Sequence, residues 1–154
     1  MTPIKKSLLV LAVALIGIQF IRPDPNSSSA ISANDITLHC AVPDTVLALL
    51  KRSCYDCHSN NTVYPWYDRV QPVAWWLQYH VNHGKHSLNF SEFAGYAMEK
   101  QGKKLKAVSE EVREGGMPLD SYLWIHSYAS LSPGEKAVIA GWADSLRSQI
   151  SVKK

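Results

Sequence analysis

An all-α fold is what this sequence predicts, on three observations. Apolar residues recur three and four apart in several separate stretches, each long enough for a helix. Prolines, serines, acidic residues and glycines stand where helices start and stop. No strand–helix–strand pattern surrounds the cysteine pair Cys54 and Cys57. With 154 residues and 46% hydrophobic content, the chain can build one domain with its own core.

The first stretch, Met1 to about Pro25, is read as a signal anchor or signal peptide. Lys5 and Lys6 precede an apolar run from Leu8 to Ile21, interrupted by Gly17 and Gln19 and closed by Arg22-Pro23. The run falls below the roughly 20 apolar residues that cross a bilayer comfortably. No small-x-small cleavage site follows it directly, which favours a retained N-terminal anchor helix. Lys5 and Lys6 would stay in the cytoplasm and put the rest on the periplasmic side of a bacterial inner membrane. Cys40 lies too far beyond the run for a lipoprotein anchor. Residues 26–34 are small and polar and read as a flexible tether, with the domain occupying 35–154. The net charge of +3 includes the N-terminal lysines, and bases alternate with acids elsewhere, so no nucleic-acid surface is expected.

Val42-Pro43-Asp44 opens a helix whose apolar residues Val46, Leu47, Leu49 and Leu50 lead into Cys54-Tyr55-Asp56-Cys57-His58. Residues i and i+3 of a helical turn share a face, so Cys54 and Cys57 hold two thiols at a fixed separation. The two vinyl groups on one porphyrin edge need such a pair, and His58 can then offer a ring nitrogen to the iron. This spacing points to one covalently attached haem c, with Cys54 and Cys57 as thioethers and His58 as proximal ligand. A thioredoxin-like dithiol or half of a zinc site is the competing reading, but Cys40 supplies no second pair. Export agrees with haem attachment, which takes place outside the cytoplasm. Cys40 reads as a small half-buried residue or as an interchain partner.

Beyond the motif, Ser59 to Thr62 is a polar turn, and Val63-Tyr64-Pro65-Trp66-Tyr67 reads as a loop over one porphyrin edge, with Trp66 as a wall. Pro72 starts a helix expected to end near Gly84, with Val73, Trp76, Leu77 and His80 on one face. Trp76 and His80 are therefore pocket candidates. His80, His83 and His86 invite a metal reading, but Gly84 intervenes and no carboxylate or thiolate follows at a matching offset. Ser91 is expected to cap the next helix, which runs through Tyr96 and Met98 to a break near Gly102. Lys103, Lys104 and Lys106 then form the solvated face of a helix, or a docking patch for an acidic redox partner. Leu105, Val108 and Val112 make its apolar face, and Gly115-Gly116 ends it.

Met117-Pro118-Leu119 follows the glycines. A thioether suits haem iron opposite histidine, the glycines let the backbone turn sharply, and Pro118 stiffens the loop. Met117 is the expected distal ligand, with His126 as principal rival and His80 behind it. His126 closes Tyr122-Leu123-Trp124-Ile125-His126, which could equally line the pocket. Ser132-Pro133-Gly134-Glu135 forms a capping box, and Val138, Ile139, Trp142, Leu146 and Ile150 fall on one face of a terminal helix expected to cross the helix that carries the motif.

This order of helices, Cys54-x-x-Cys57-His58 and Met117-Pro118 resembles the class I cytochrome c architecture from about Asp35 to Ser151. More closely, the strings from Cys54 to Thr62, Tyr64-Pro65-Trp66-Tyr67, Gln71 to Leu77 and Leu88-Asn89-Phe90-Ser91 are similar to those of the bacterial haem-binding domain family, whose members are typically exported. The resemblance implies covalent haem on Cys54 and Cys57 with His58 on the iron, and puts Met117 where cytochromes c carry their distal sulfur. It implies no defined substrate. The aromatic and histidine-rich stretch from Tyr64 to Asn89 departs from an ordinary small cytochrome c. The expected function is monohaem electron transfer, a carrier rather than an enzyme, periplasmic and anchored by the N-terminal helix. Its partners are redox proteins at the membrane and the haem-attachment machinery. The alternative is a haem peroxidase or a redox or gas sensor with a labile distal ligand.

Overall fold

The computed structural model describes residues 2–152; Met1, Lys153 and Lys154, which the expected anchor and domain include, lie outside them. Among the described residues every regular element is a helix, so the all-α expectation stands. In chain order these are α1 (Pro3–Ile18), α2 (Ile36–His39), α3 (Asp44–Ser53), α4 (Tyr55–His58), α5 (Val73–Ser87), α6 (Met98–Glu114), α7 (Asp120–Leu123) and α8 (Pro133–Val152), with tight 3-10 turns at Trp66–Arg69, Phe90–Gly95 and Ser127–Ala129.

The N-terminal expectation needs correction. α1 has 16 residues, none of them buried, and at 1.5 Å per residue is about 24 Å long, against about 30 Å of hydrocarbon. Among the described residues no helix is long and apolar enough to cross a membrane. At its end the helix tightens, with Gln19 N–H on Ile16 O at 3.1 Å and Phe20 N–H on Gly17 O at 3.3 Å, and Pro23 and Pro25 cannot continue it. Residues 26–34 form no helix, as a tether would, but their first member is held. The buried Asn26 donates its N–H to Tyr64 Oη at 2.6 Å and its amide to Ser59 O and Thr62 Oγ1, each at 2.9 Å.

The core gathers Ile36, Val46, Leu50, Phe90, Phe93, Leu105, Ile139 and Leu146. α8 packs chiefly along α6 and more briefly on α3, where the sequence pattern suggested α3. The α6–α8 pair is antiparallel: Gly115, after α6, lies beside Lys136 near the start of α8, and Met98 shares a groove with Ile150. An Arg52–Glu135 ion pair at 2.8 Å ties α8 to α3, and Trp142 Nε1 donates at 3.0 Å to Ala41 O in the link that leads into α3. The capping box forms as read: Ser132 N–H donates to Glu135 Oε2 at 2.8 Å, and Glu135 N–H to Ser132 Oγ at 3.3 Å.

Two expected glycine breaks do not occur. α5 runs through Gly84 and α6 through Gly102, because one helical glycine costs only about 1 kcal/mol and the flanking turns outweigh it. The cap expected at Ser91 is Asn89, whose Oδ1 accepts the Ser91 N–H at 3.0 Å.

Candidate functional site

Cys54 ends α3, its N–H bonded to Leu50 O at 2.8 Å, and its own carbonyl accepts the N–H of Cys57 at 3.2 Å and of His58 at 3.0 Å. The two cysteines thus bracket the single turn α4. Asp56, between them, fastens this turn to two other parts of the chain. Its carboxylate accepts Tyr122 Oη at 2.7 Å and the Val63 N–H at 3.1 Å, and its carbonyl accepts Thr62 Oγ1 at 2.6 Å. Burial and this bond to Asp56 push the Tyr122 phenol far above its ordinary range. From the other side α5 presses on Cys57 at Gly84, where a Cβ would stand 2.5 Å from the Cys57 carbonyl oxygen.

His58 Nδ1 lies 3.0 Å from Leu88 O. A carbonyl only accepts, so Nδ1 carries the proton and the neutral ring keeps its lone pair on Nε2. Burial lowers the imidazole's proton affinity, which outweighs the Leu88 and Gly84 carbonyls, and the ring is neutral at pH 7. The same two segments are joined again by Asn60 N–H to Ser91 Oγ at 3.1 Å and Asn89 Nδ2 to Asn60 Oδ1 at 2.8 Å.

Two cavities share Ser53, Cys54, His58, Ser87, Met117 and Pro118 as walls. The larger, about 400 Å3, adds the apolar Leu88, Phe90, Val108 and Val112, with Lys103 and Lys104 as its cations. The smaller, about 150 Å3, adds Cys57, His80, His83, Leu119 and Tyr122. Met117 is delivered to both by the end of α6. Gly115 takes a left-handed conformation, φ 83°, and Met117 N–H returns to Glu111 O at 3.2 Å. Burial, and the neighbouring Cys57, push the Cys54 thiol up to about 12. Burial and Asp56 push Cys57 up to about 11. Dithiol exchange needs a thiolate near neutral pH, so these protonated thiols do not suit a thioredoxin-like pair.

A family model described as haem-binding domain matches residues 13–145. The chain belongs to the haem-binding domain family. No curated protein and no solved structure matches it. The residues of this haem-binding domain fit the group. A neutral imidazole, a thioether and two thiols border cavities whose other walls are mostly apolar, as a large apolar disc with a central iron requires. The match begins inside α1 and takes in the segment that hydrogen-bonds Gln71.

The haem-binding domain brings Cys54, Cys57, His58 and Met117 together with His80 beside them, and keeps Trp66, Trp76 and His126 off both cavities. His80 lines the smaller cavity, with Nδ1 donating to Trp76 O at 2.9 Å. Trp76 lines a minor hollow of about 20 Å3 beside Cys57 and His80. His126 is buried behind Tyr122, on which it stacks at 4.1 Å. Its Nδ1 donates to Tyr122 O at 3.1 Å, so its Nε2 lone pair accepts Tyr67 Oη at 3.0 Å. That is a structural use of the ring, away from both cavities that His58 lines. Trp66, expected as a wall, is 79% exposed and meets Tyr67 edge-on at 5.8 Å. Its loop is tied down by Asp56 and Asn26 and does not fold over the cavities.

Sequence reasoning missed Gly84, the Asp56–Tyr122 bond and the Leu88 carbonyl. The strings from Cys54 to Thr62 and from Leu88 to Ser91 contain two of these three, and in the fold they hydrogen-bond to one another.

Proposed function

We propose that this haem-binding domain carries one haem c, joined through thioethers to Cys54 and Cys57, with His58 on the iron and Met117 opposite, and passes single electrons on the periplasmic side of a bacterial inner membrane. The observation that carries the reading is that Cys54, His58 and Met117 border the same two cavities, one of them walled by Leu88, Phe90, Val108 and Val112. Bound haem supplies a one-electron couple, and a thioether opposite imidazole favours its reduced state. The chain's own residues do the rest. The Leu88 carbonyl holds His58 in the tautomer that leaves Nε2 to bind metal and raises its basicity. Phe90, Val108 and Val112 wall the larger cavity and would keep water from the bound porphyrin. Lys104, whose ammonium donates to Ser87 O on the cavity wall, would supply positive charge for its carboxylates. Asp56 and Tyr122 keep the cysteine turn in shape. The partners are redox proteins at the membrane and, during maturation, the haem-attachment machinery.

Co-expression with that machinery tests the reading. Wild-type protein is expected to hold a haem stain through denaturing electrophoresis, and the Cys54→Ala/Cys57→Ala variant to lose it; a stain that survives in the double variant overturns covalent attachment. A second reading, a haem peroxidase or a redox or gas sensor, draws on His80 and His83, which share the smaller cavity with Met117. Spectra separate the two. Low-spin haem whose methionine-to-iron band disappears in Met117→Ala supports electron transfer. High-spin haem that binds carbon monoxide in the wild type supports the second reading.

A further inference from the structure

α1 exposes apolar side chains all round: Leu8, Leu9, Val10, Val13 and Ile16 are each more than half exposed. An amphipathic stripe would suit one partner helix, whereas an apolar surface on every side suits lipid. The chain beyond α1 is not loose. Gln71, 4% exposed, has three of its four polar groups met by this segment, its Oε1 accepting the Trp75 N–H at 3.3 Å. Its N–H donates to Gln19 Oε1 at 3.0 Å, its amide donates to Ile21 O at 2.9 Å, and its carbonyl accepts Gln19 Nε2 at 3.3 Å. Ile21 O also accepts Trp75 Nε1 at 2.9 Å. A few residues on, Asn26 Oδ1 accepts Lys85 Nζ at 2.5 Å, and the Asn26 amide bonds described above close the staple.

The surface around this staple has the chemistry of a bilayer interface. Phe20, Ile21, Val70 and Trp75 are exposed beside it, and Arg22 and Arg69 both lie within electrostatic reach of Asp68. A tryptophan with its N–H satisfied and its ring outward, flanked by arginines, matches the boundary between acyl chains and phosphates. At about 24 Å, α1 falls short of the hydrocarbon thickness, and the long stems of Lys5 and Lys6 in its first turn carry their charges towards the headgroups. The family match starts at residue 13, so the second half of α1 and the staple belong to the shared domain.

We propose that the segment from Gln19 to Asn26 is a built-in part of the domain, that α1 is therefore retained in the mature protein, and that together they seat the domain on an anionic phospholipid surface in one orientation. Phe20, Ile21, Val70 and Trp75 sit at the headgroup boundary, with Arg22 and Arg69 among the phosphates. The inference rests on the membrane location proposed above and adds retention and orientation to it. α5 begins at the staple and reaches Cys57 at Gly84, about 17 Å of helix from Val73, so the staple also fixes how the haem motif stands relative to the lipid.

The full chain from membranes, analysed by mass spectrometry, is expected to contain α1; a mature chain that begins after Ile21 overturns retention. Reconstituted with phosphatidylglycerol and phosphatidylethanolamine vesicles, it is expected to sediment with them, and a chain left in the supernatant overturns lipid as the occupant. Brominated lipids should quench its tryptophan fluorescence, with most of that quenching lost in Trp75→Phe; undiminished quenching overturns the orientation. Proteinase K should cut residues 19–28 several-fold faster in Gln19→Leu than in wild type while both still sediment, and equal rates overturn the staple. Because Gln19→Leu leaves the buried Gln71 N–H and C=O without these partners, a far-ultraviolet circular dichroism spectrum equal to wild type is required of the variant before the rates are compared. A haem stain on the same samples keeps the outcomes apart: haem present with docking lost overturns this inference alone, and docking present with haem lost overturns only the haem c reading.

Discussion

At Gly84 the site depends on the absence of a side chain. The backbone of α5 passes so close to Cys57 that an added Cβ would lie 2.5 Å from the Cys57 carbonyl oxygen and 2.9 Å from its Cβ, so one of the two helices has to shift. Gly84→Ala is expected to cost on the order of 1–3 kcal/mol, read as a lower thermal midpoint, and to reduce haem loading, read by absorbance. Gly141→Ala, where nothing lies within 4 Å, is the matched control and should keep full loading. From sequence Gly84 read as a helix terminator, because a glycine's local meaning is easily recognised and its tertiary meaning is not. His58 was legible from its place after Cys57, whereas the Leu88 carbonyl that sets its tautomer belongs to a backbone thirty residues away.

At the scale of the element, α6 contains one glycine that weakens it and is followed by one that it needs. Gly102 lies mid-helix, where an added Cβ would meet nothing within 4 Å, and Gly115 closes the helix at φ 83°. Gly102→Ala is expected to stabilise the domain by about 0.5–1 kcal/mol, and Gly115→Ala to destabilise it by about 1–2 kcal/mol. Urea midpoints moving in opposite directions check both. Loss of the Gly115 turn should also disturb the Met117 band, since Met117 reaches the cavities through that turn. The stop at Gly115-Gly116 and the box at Ser132–Glu135 were readable because both are local hydrogen-bond chemistry. The break expected at Gly102 was not there, because one unfavourable residue does not interrupt a helix packed along α8.

For the whole molecule, the antiparallel α6–α8 pair is the frame against which the site is built, and Arg113 pairs with Asp144 across it at 2.6 Å. The Arg113 hydrogen bond holds the Asp144 carboxyl below its ordinary value. A lowered folded pKa means that the stabilisation is present above about pH 4, the unfolded carboxylate value, and is lost as pH falls through the folded one. The pair is partly exposed, so Asp144→Asn is expected to cost only about 0.5 kcal/mol at pH 7. The gap to wild type should close in strong acid, followed by urea denaturation across the pH range. A gap that persists unchanged in acid would assign the effect to packing instead of charge.

The sequence alone determined the helical class, most helix ends, the cysteine turn with His58 and the family, since each of these is encoded within a few residues or in an unbroken string. Tertiary structure decided that Met117 and not His126 shares the cavities with His58, that Trp66 faces outward, that α8 lies along α6, and that Gln19 and Asn26 bond to Gln71 and Tyr64. Those outcomes rest on bonds such as these, Asp56–Tyr122 and Tyr67–His126. Their partners are far apart along the chain, so which donor meets which acceptor is settled only when the helices pack.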